Sequence, residues 1–72
     1  MELTATDFDI LSAIADGRVE SGTPLSHFVD YCDNAIGGNP RPLIQAGYIE
    51  ATDFTVTGLT PLGEKVLKEH QG

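Results

Sequence analysis

Cys32, His27 and Asp30 carry the side chains that nucleophilic catalysis uses, and they stand close together on one predicted helix. A thiolate nucleophile needs a general base facing it. At helical pitch His27 lies about 140° around the axis from Cys32, so the two cannot face each other. Cys32 instead occupies an apolar position, where a free cysteine acts as a small hydrophobe. Gly37-Gly38-Asn39-Pro40-Arg41 puts glycines beside a cation but lacks the spacing and the lysine of a phosphate-cradling loop. The single cysteine cannot form an internal disulfide, and no Cys/His cluster has zinc spacing. No catalytic, metal-ligating or cofactor-binding residue is assigned, and the chain is not expected to be an enzyme.

Charge narrows the partners. Eleven acidic residues face four basic ones, two of them lysines, for a net charge of −7. One explanation is a domain that avoids nucleic acid, because like charge repels phosphate. The other is a salt-loving host, where screening shrinks to ~3 Å at 1 M salt and an acidic, lysine-poor surface is ordinary; the composition resembles haloarchaeal proteins in general. Both remain open at this level. The charge is also uneven: residues 1–22 carry −4, 23–33 carry −2, 34–47 carry +1 from Arg41 alone, 48–59 carry −2 and 60–72 are neutral. Arg41 is the sole cation between Arg18 and Lys65. Lys65, Lys68 and His70 lie near the C-terminus of the last predicted helix, where bases complement the helix dipole.

Seventy-two residues, 40% of them apolar, support one small domain, residues 1–72, with a thin core. With disulfides and metals set aside, oligomerisation is the remaining support, and a homodimer through the first and last helices is expected. No apolar run approaches the ~20 residues of a membrane span. The start Met1-Glu2-Leu3-Thr4 lacks the basic-then-apolar form of a signal peptide, so a cytoplasmic location and no membrane partner are expected.

These residues must be held by a particular order of elements. Thr4 and Asp7 open a helix over about Thr6 to Asp16, with Phe8, Leu11, Ile14 and Ala15 on its apolar face and Gly17 as its left-handed stop. Thr23 as N-cap and Pro24 at the first helical position begin a second helix, with Leu25, Phe28, Val29 and Cys32 inward and Asp33-Asn34 ending it. Gly37-Gly38, Pro40 and Pro42 forbid a regular helix through the next window, since an interior proline costs ~3 kcal/mol. A helix capped by Asn39 with both prolines in its first turn, Pro40 to Ala46, avoids most of that cost; Ala35–Gly38 is a loop or a single turn. After Gly47, Tyr48–Ala51 and Phe54–Thr57 form a hairpin around Thr52-Asp53. Thr60 and Pro61 repeat the N-cap and proline signal, opening a last helix that places Leu62, Val66 and Leu67 inward and frays from Lys68 to Gly72.

Leu43…Ala46-Gly47-Tyr48-Ile49 and Leu59-Thr60-x-x-Gly63-x-x-x-Leu67 resemble the winged helix-turn-helix superfamily, in particular MarR and PadR type regulators and small archaeal and phage repressors. The likeness covers almost the whole chain. It implies a mainly α fold with a small β-hairpin: three helices, a two-stranded wing and a C-terminal helix. It also implies a sequence-specific transcriptional regulator that inserts its short third helix into the major groove of double-stranded DNA.

On that helix the residues suited to base contact are Asn39, Arg41 and Gln45. Arginine pairs with guanine O6/N7, and asparagine or glutamine with adenine N6/N7. Such helices usually carry several more polar and basic residues, and such wings carry arginine or lysine where this chain has Glu50 and Asp53. The alternative is a winged helix used as a protein interaction module that binds no nucleic acid. Its apolar surface would be lined by Ile36, Pro40, Pro42 and Tyr48.

Overall fold

The computed structural model describes residues 2–71. Helix α1, Ala5–Ala15, begins at a reciprocal cap: the Asp7 N–H donates to Thr4 Oγ1 at 3.2 Å, and the Thr4 N–H donates to Asp7 Oδ2 at 2.9 Å. Its buried residues are Ile10, Leu11 and Ala13. The expected face was Phe8, Leu11, Ile14 and Ala15; Leu11 is buried, Phe8 and Ile14 are half-buried and Ala15 is exposed. The face is turned because α1 is central, touching the last helix and a strand as well as the turn that follows the second helix.

Thr23-Pro24 does not cap the second helix. It is strand β1, paired antiparallel with Thr55-Val56. The Gly22 N–H donates to the Val56 carbonyl and the Leu25 N–H to the Phe54 carbonyl, at 2.8 and 2.7 Å, so the backbone continues the pairing on both sides of the proline. Thr23 Oγ1 turns back to donate to the Glu20 carbonyl. Proline without an N–H is tolerated at a sheet edge, and β1 is an edge strand.

Helix α2, Leu25–Tyr31, does not stop at Asp33-Asn34 either; it runs on as a π-helical turn over Cys32–Ile36. The N–H groups of Gly37 and Gly38 both donate to the Cys32 carbonyl, at 2.7 and 3.1 Å, and Gly37 has the left-handed φ of 85° that such a stop needs. Continuing the helix seats Gly38 tightly on α1, where a Cβ would strike Thr6 and Ile10. Helix α3, Arg41–Gln45, is the short helix expected between Pro40 and Ala46, and Gly47 at φ 87° ends it.

Strands β2, Ile49–Ala51, and β3, Thr55–Leu59, form the hairpin, and β1 joins its far side to give a three-stranded antiparallel sheet ordered β1-β3-β2. The register runs Ile49↔Leu59, Glu50↔Gly58, then Ala51↔Val56, leaving Thr57 as the extra residue of a bulge. Its hydroxyl donates to the Glu50 carbonyl at 2.8 Å. Helix α4, Pro61–Gln71, starts from Thr60, whose Oγ1 accepts the Gly63 N–H at 3.0 Å. It stays helical through Gln71, so the expected fraying from Lys68 is absent there; Gly72 lies outside the described residues.

Among the described residues the fold is therefore mixed α/β, four helices with a three-stranded sheet, and the expected two-stranded hairpin is extended by β1. Ile10, Leu11, Val19, Phe28, Leu43, Ile49, Val56 and Leu67 meet in one core. No helix among the described residues is long and apolar enough to cross a membrane.

Candidate nucleic-acid interface

Leu43 anchors α3 in the core, and Pro40 ahead of it is fully buried. That turns the other side of the helix outward. Arg41 and Gln45, one turn apart, are both exposed and line one concavity of about 300 Å³ together with Leu25, Ile44, Ala51, Thr52 and Asp53. The structure thus brings two of the three expected contact residues to one groove between α3 and the hairpin.

Asn39 stands apart. It is not the cap expected for α3: Pro40 holds the N-cap position without a side-chain bond. Asn39 sits one residue ahead, its Oδ1 accepting the Arg41 N–H at 3.1 Å in a local turn. It shares with Arg41 a second concavity, of about 270 Å³, whose other walls are Val29, Asp30, Asp33 and Gly38. The apolar groove expected from Ile36, Pro40, Pro42 and Tyr48 is not formed as such. Pro40 is core, Ile36 and Tyr48 are half-buried against it, and Pro42 is exposed.

The electrostatics follow from these two concavities. Arg41 is the cation of both; Asp30 and Asp33 line one and Asp53 the other. Three aspartates thus line the concavities that Arg41 shares, yet Arg41 forms no ion pair within 4 Å among the described residues. The ion pair found there joins Arg18 to Asp16 at 2.9 Å and sits half-exposed elsewhere. Glu50 is partly engaged: the one Thr57 hydroxyl proton is shared between its carbonyl, at 2.8 Å, and its Oε1, at 2.9 Å.

The hairpin tip is closed by hydrogen bonds at Thr52. The Thr52 N–H donates to the Thr55 carbonyl at 2.8 Å, while Thr52 Oγ1 accepts the N–H groups of Phe54 and Thr55 at 3.2 and 3.0 Å. The Phe54 carbonyl is held by Leu25 N–H, which leaves its ring 81% exposed beside Asp53. The sequence reading missed this residue. The sequence placed Phe54 at the start of the second hairpin strand, but it lies in the bend before β3, which begins at Thr55.

Elsewhere, Cys32 is fully buried, and burial pushes its thiol up to about 11, away from thiolate chemistry. His27 is exposed. His70 is used within the chain, its ring stacked on Phe8 with centroids 3.8 Å apart. The described residues contain no cluster of three or more His, Cys, Asp or Glu that could hold a metal. Comparison with protein-family models, with curated proteins and with solved structures found no match.

Proposed function

We propose that the chain is a winged helix-turn-helix regulator of transcription that reads double-stranded DNA with α3, the β2–β3 hairpin serving as its wing. One observation carries this reading: Arg41 and Gln45 stand one turn apart on the exposed side of α3, in a single groove, with Arg41 free of any carboxylate within 4 Å among the described residues. That leaves the guanidinium able to reach guanine O6/N7 and the Gln45 amide able to pair with adenine. Asn39, whose Oδ1 accepts the Arg41 N–H just ahead of α3, is the third candidate for base contact.

Duplex binding measured by fluorescence anisotropy tests it. Arg41→Ala should lose about 1–3 kcal/mol of discrimination at one base pair, with stability changed by no more than ~0.5 kcal/mol. With four cationic residues in all, the slope of log K against log salt cannot exceed ~3.6 in magnitude. Equal, weak binding of wild type and Arg41→Ala to every duplex would end this reading. A host rich in salt fits the acidic surface, because seven excess negative charges repel one another in a small domain. The melting temperature should therefore rise between dilute buffer and molar KCl; an unchanged or lower value would remove the salt argument.

A second reading, a protein interaction module, is favoured by the exposed Phe54 ring and by Asp30, Asp33 and Asp53 in the concavities that Arg41 lines. Its partner would offer an apolar pocket with a basic rim, and Phe54→Ala would weaken capture without affecting DNA.

A further inference from the structure

A second cleft lies away from this groove and shares no residue with it. It has a volume of about 400 Å³ and opens between the end of α1, strand β3 and helix α4. Val19 and Leu67, each 5% exposed, form its floor, and Ile14 and Leu59 its apolar sides. Val19 is pinned there by its N–H bond to the Ala13 carbonyl at 2.9 Å. Concave sites with apolar walls, a few convergent polar groups and a volume of ~300–1,000 Å³ are where small ligands bind.

The polar groups at the rim give the ligand's chemistry. Glu64 and Lys68 stand at i, i+4 on α4, both exposed and both lining the cleft. That order ordinarily favours an ion pair between the two, yet neither is in one within 4 Å among the described residues. Adjacent, opposite and open charges above an apolar floor match a molecule that carries an ammonium and a carboxylate on one carbon, with an apolar tail. Lys68 would meet the carboxylate, Glu64 the ammonium, and the tail would lie between Ile14, Leu59 and Leu67. A lone carboxylate or a lone amine would satisfy only one head.

We infer that this cleft binds a free α-amino acid with an apolar side chain. The inference is independent of DNA binding and stands or falls separately from it.

Calorimetric titration of the intact chain with leucine and with phenylalanine tests it, alongside 4-methylpentanoate and isopentylamine, which each keep one charged end of leucine. Saturable binding of an amino acid is expected, weakened at least tenfold in both single-ended analogues. Lys68→Gln and Glu64→Gln should each weaken it tenfold or more; both residues are exposed, and unchanged far-UV circular dichroism would confirm that the variants fold. Amide shift changes on adding leucine should map to residues 57–59 and to α4. Absence of saturable binding, equal binding of the single-ended analogues, or affinity unaffected by both substitutions would overturn the assignment.

Discussion

The tripeptide Thr-Pro-Leu occurs twice, at Thr23-Pro24-Leu25 and at Thr60-Pro61-Leu62, each time just before a helix. At the second site Thr60 caps α4, its Oγ1 accepting the Gly63 N–H, and Pro61 is the first helical residue. At the first, Thr23 and Pro24 are a strand, the Thr23 hydroxyl donates to Glu20, and α2 starts one residue later with no side-chain cap. What separates them is the neighbour. Thr23-Pro24 lies beside β3, which offers the Val56 and Phe54 carbonyls to the flanking Gly22 and Leu25 N–H groups. Thr60 lies beside the residues that lead into β2, where its N–H reaches the Tyr48 carbonyl at 3.2 Å and its hydroxyl donates to the Gly47 carbonyl. The same local signal is a strand when a partner strand is in reach and a cap when a helix turn closes over it.

The largest effect that could break this comparison is at Gly63. A Cβ there would run into the Tyr48 carbonyl, which is backbone and cannot swing aside. Gly63→Ala should cost about 3 kcal/mol, the upper part of the usual range for overpacking, by lifting the first turn of α4 off the residues that Thr60 ties down. Gly58→Ala is the control, since a Cβ there meets nothing within 4 Å; chemical denaturation should show little loss or a small gain. A mild Gly63→Ala would mean that Thr60 caps α4 without needing this close approach.

The threonines come next. Thr60→Ala removes an N-cap and should cost about 1–2 kcal/mol, while Thr23→Ala loses one solvent-facing hydrogen bond worth about 0.5–1 kcal/mol. The substitutions that separate the roles are Ser and Val. Thr60 should tolerate Ser, which keeps the cap, and lose stability as Val; Thr23 should tolerate Val, which keeps the β-branch, about as well as Ser. Equal responses at the two sites in urea titrations would refute the assignment of different roles.

What was legible in the sequence acts within a turn of the chain. Thr4 with Asp7, Gly47 after α3, and Thr60 with Gly63 bond to residues three or four positions away, and each is where its residue types placed it. What was not legible depends on distant partners. β1 exists because of residues 55–56, and the π-helical turn overrides the polar Asp33-Asn34 stop because Gly38 finds its seat on α1. The same divide runs through the candidate interface. Arg41 and Gln45 were placed correctly on a short α3, but the wall of Asp30 and Asp33 in one of the concavities that Arg41 lines comes from α2 and its continuation, whose extent the sequence misjudged. The cleft under α4 draws on three elements and has no contiguous signature.

The smallest effect concerns the prolines, and here the two sites should behave alike. Proline stabilises by restricting the unfolded chain wherever the native φ suits its ring and no N–H bond is lost, worth about 0.4–1 kcal/mol. Pro24, at φ −53°, meets the first condition, and as an edge residue it has no ladder bond to make. Pro61 occupies the first helical position, where an N–H has no intrahelical acceptor. Pro24→Ala and Pro61→Ala should therefore lower stability by similar, sub-kilocalorie amounts, each acting through the unfolded state. The contrast with the threonines then becomes the sharpest form of the comparison: in one repeated tripeptide, the residue that acts through its ring is indifferent to context, and the residue that acts through its hydroxyl is governed by it. If Pro24→Ala instead stabilised the protein, its new N–H would have found an acceptor, and the segment would have moved toward the capped helix start seen at Thr60; amide exchange at residue 24 would reveal that protection.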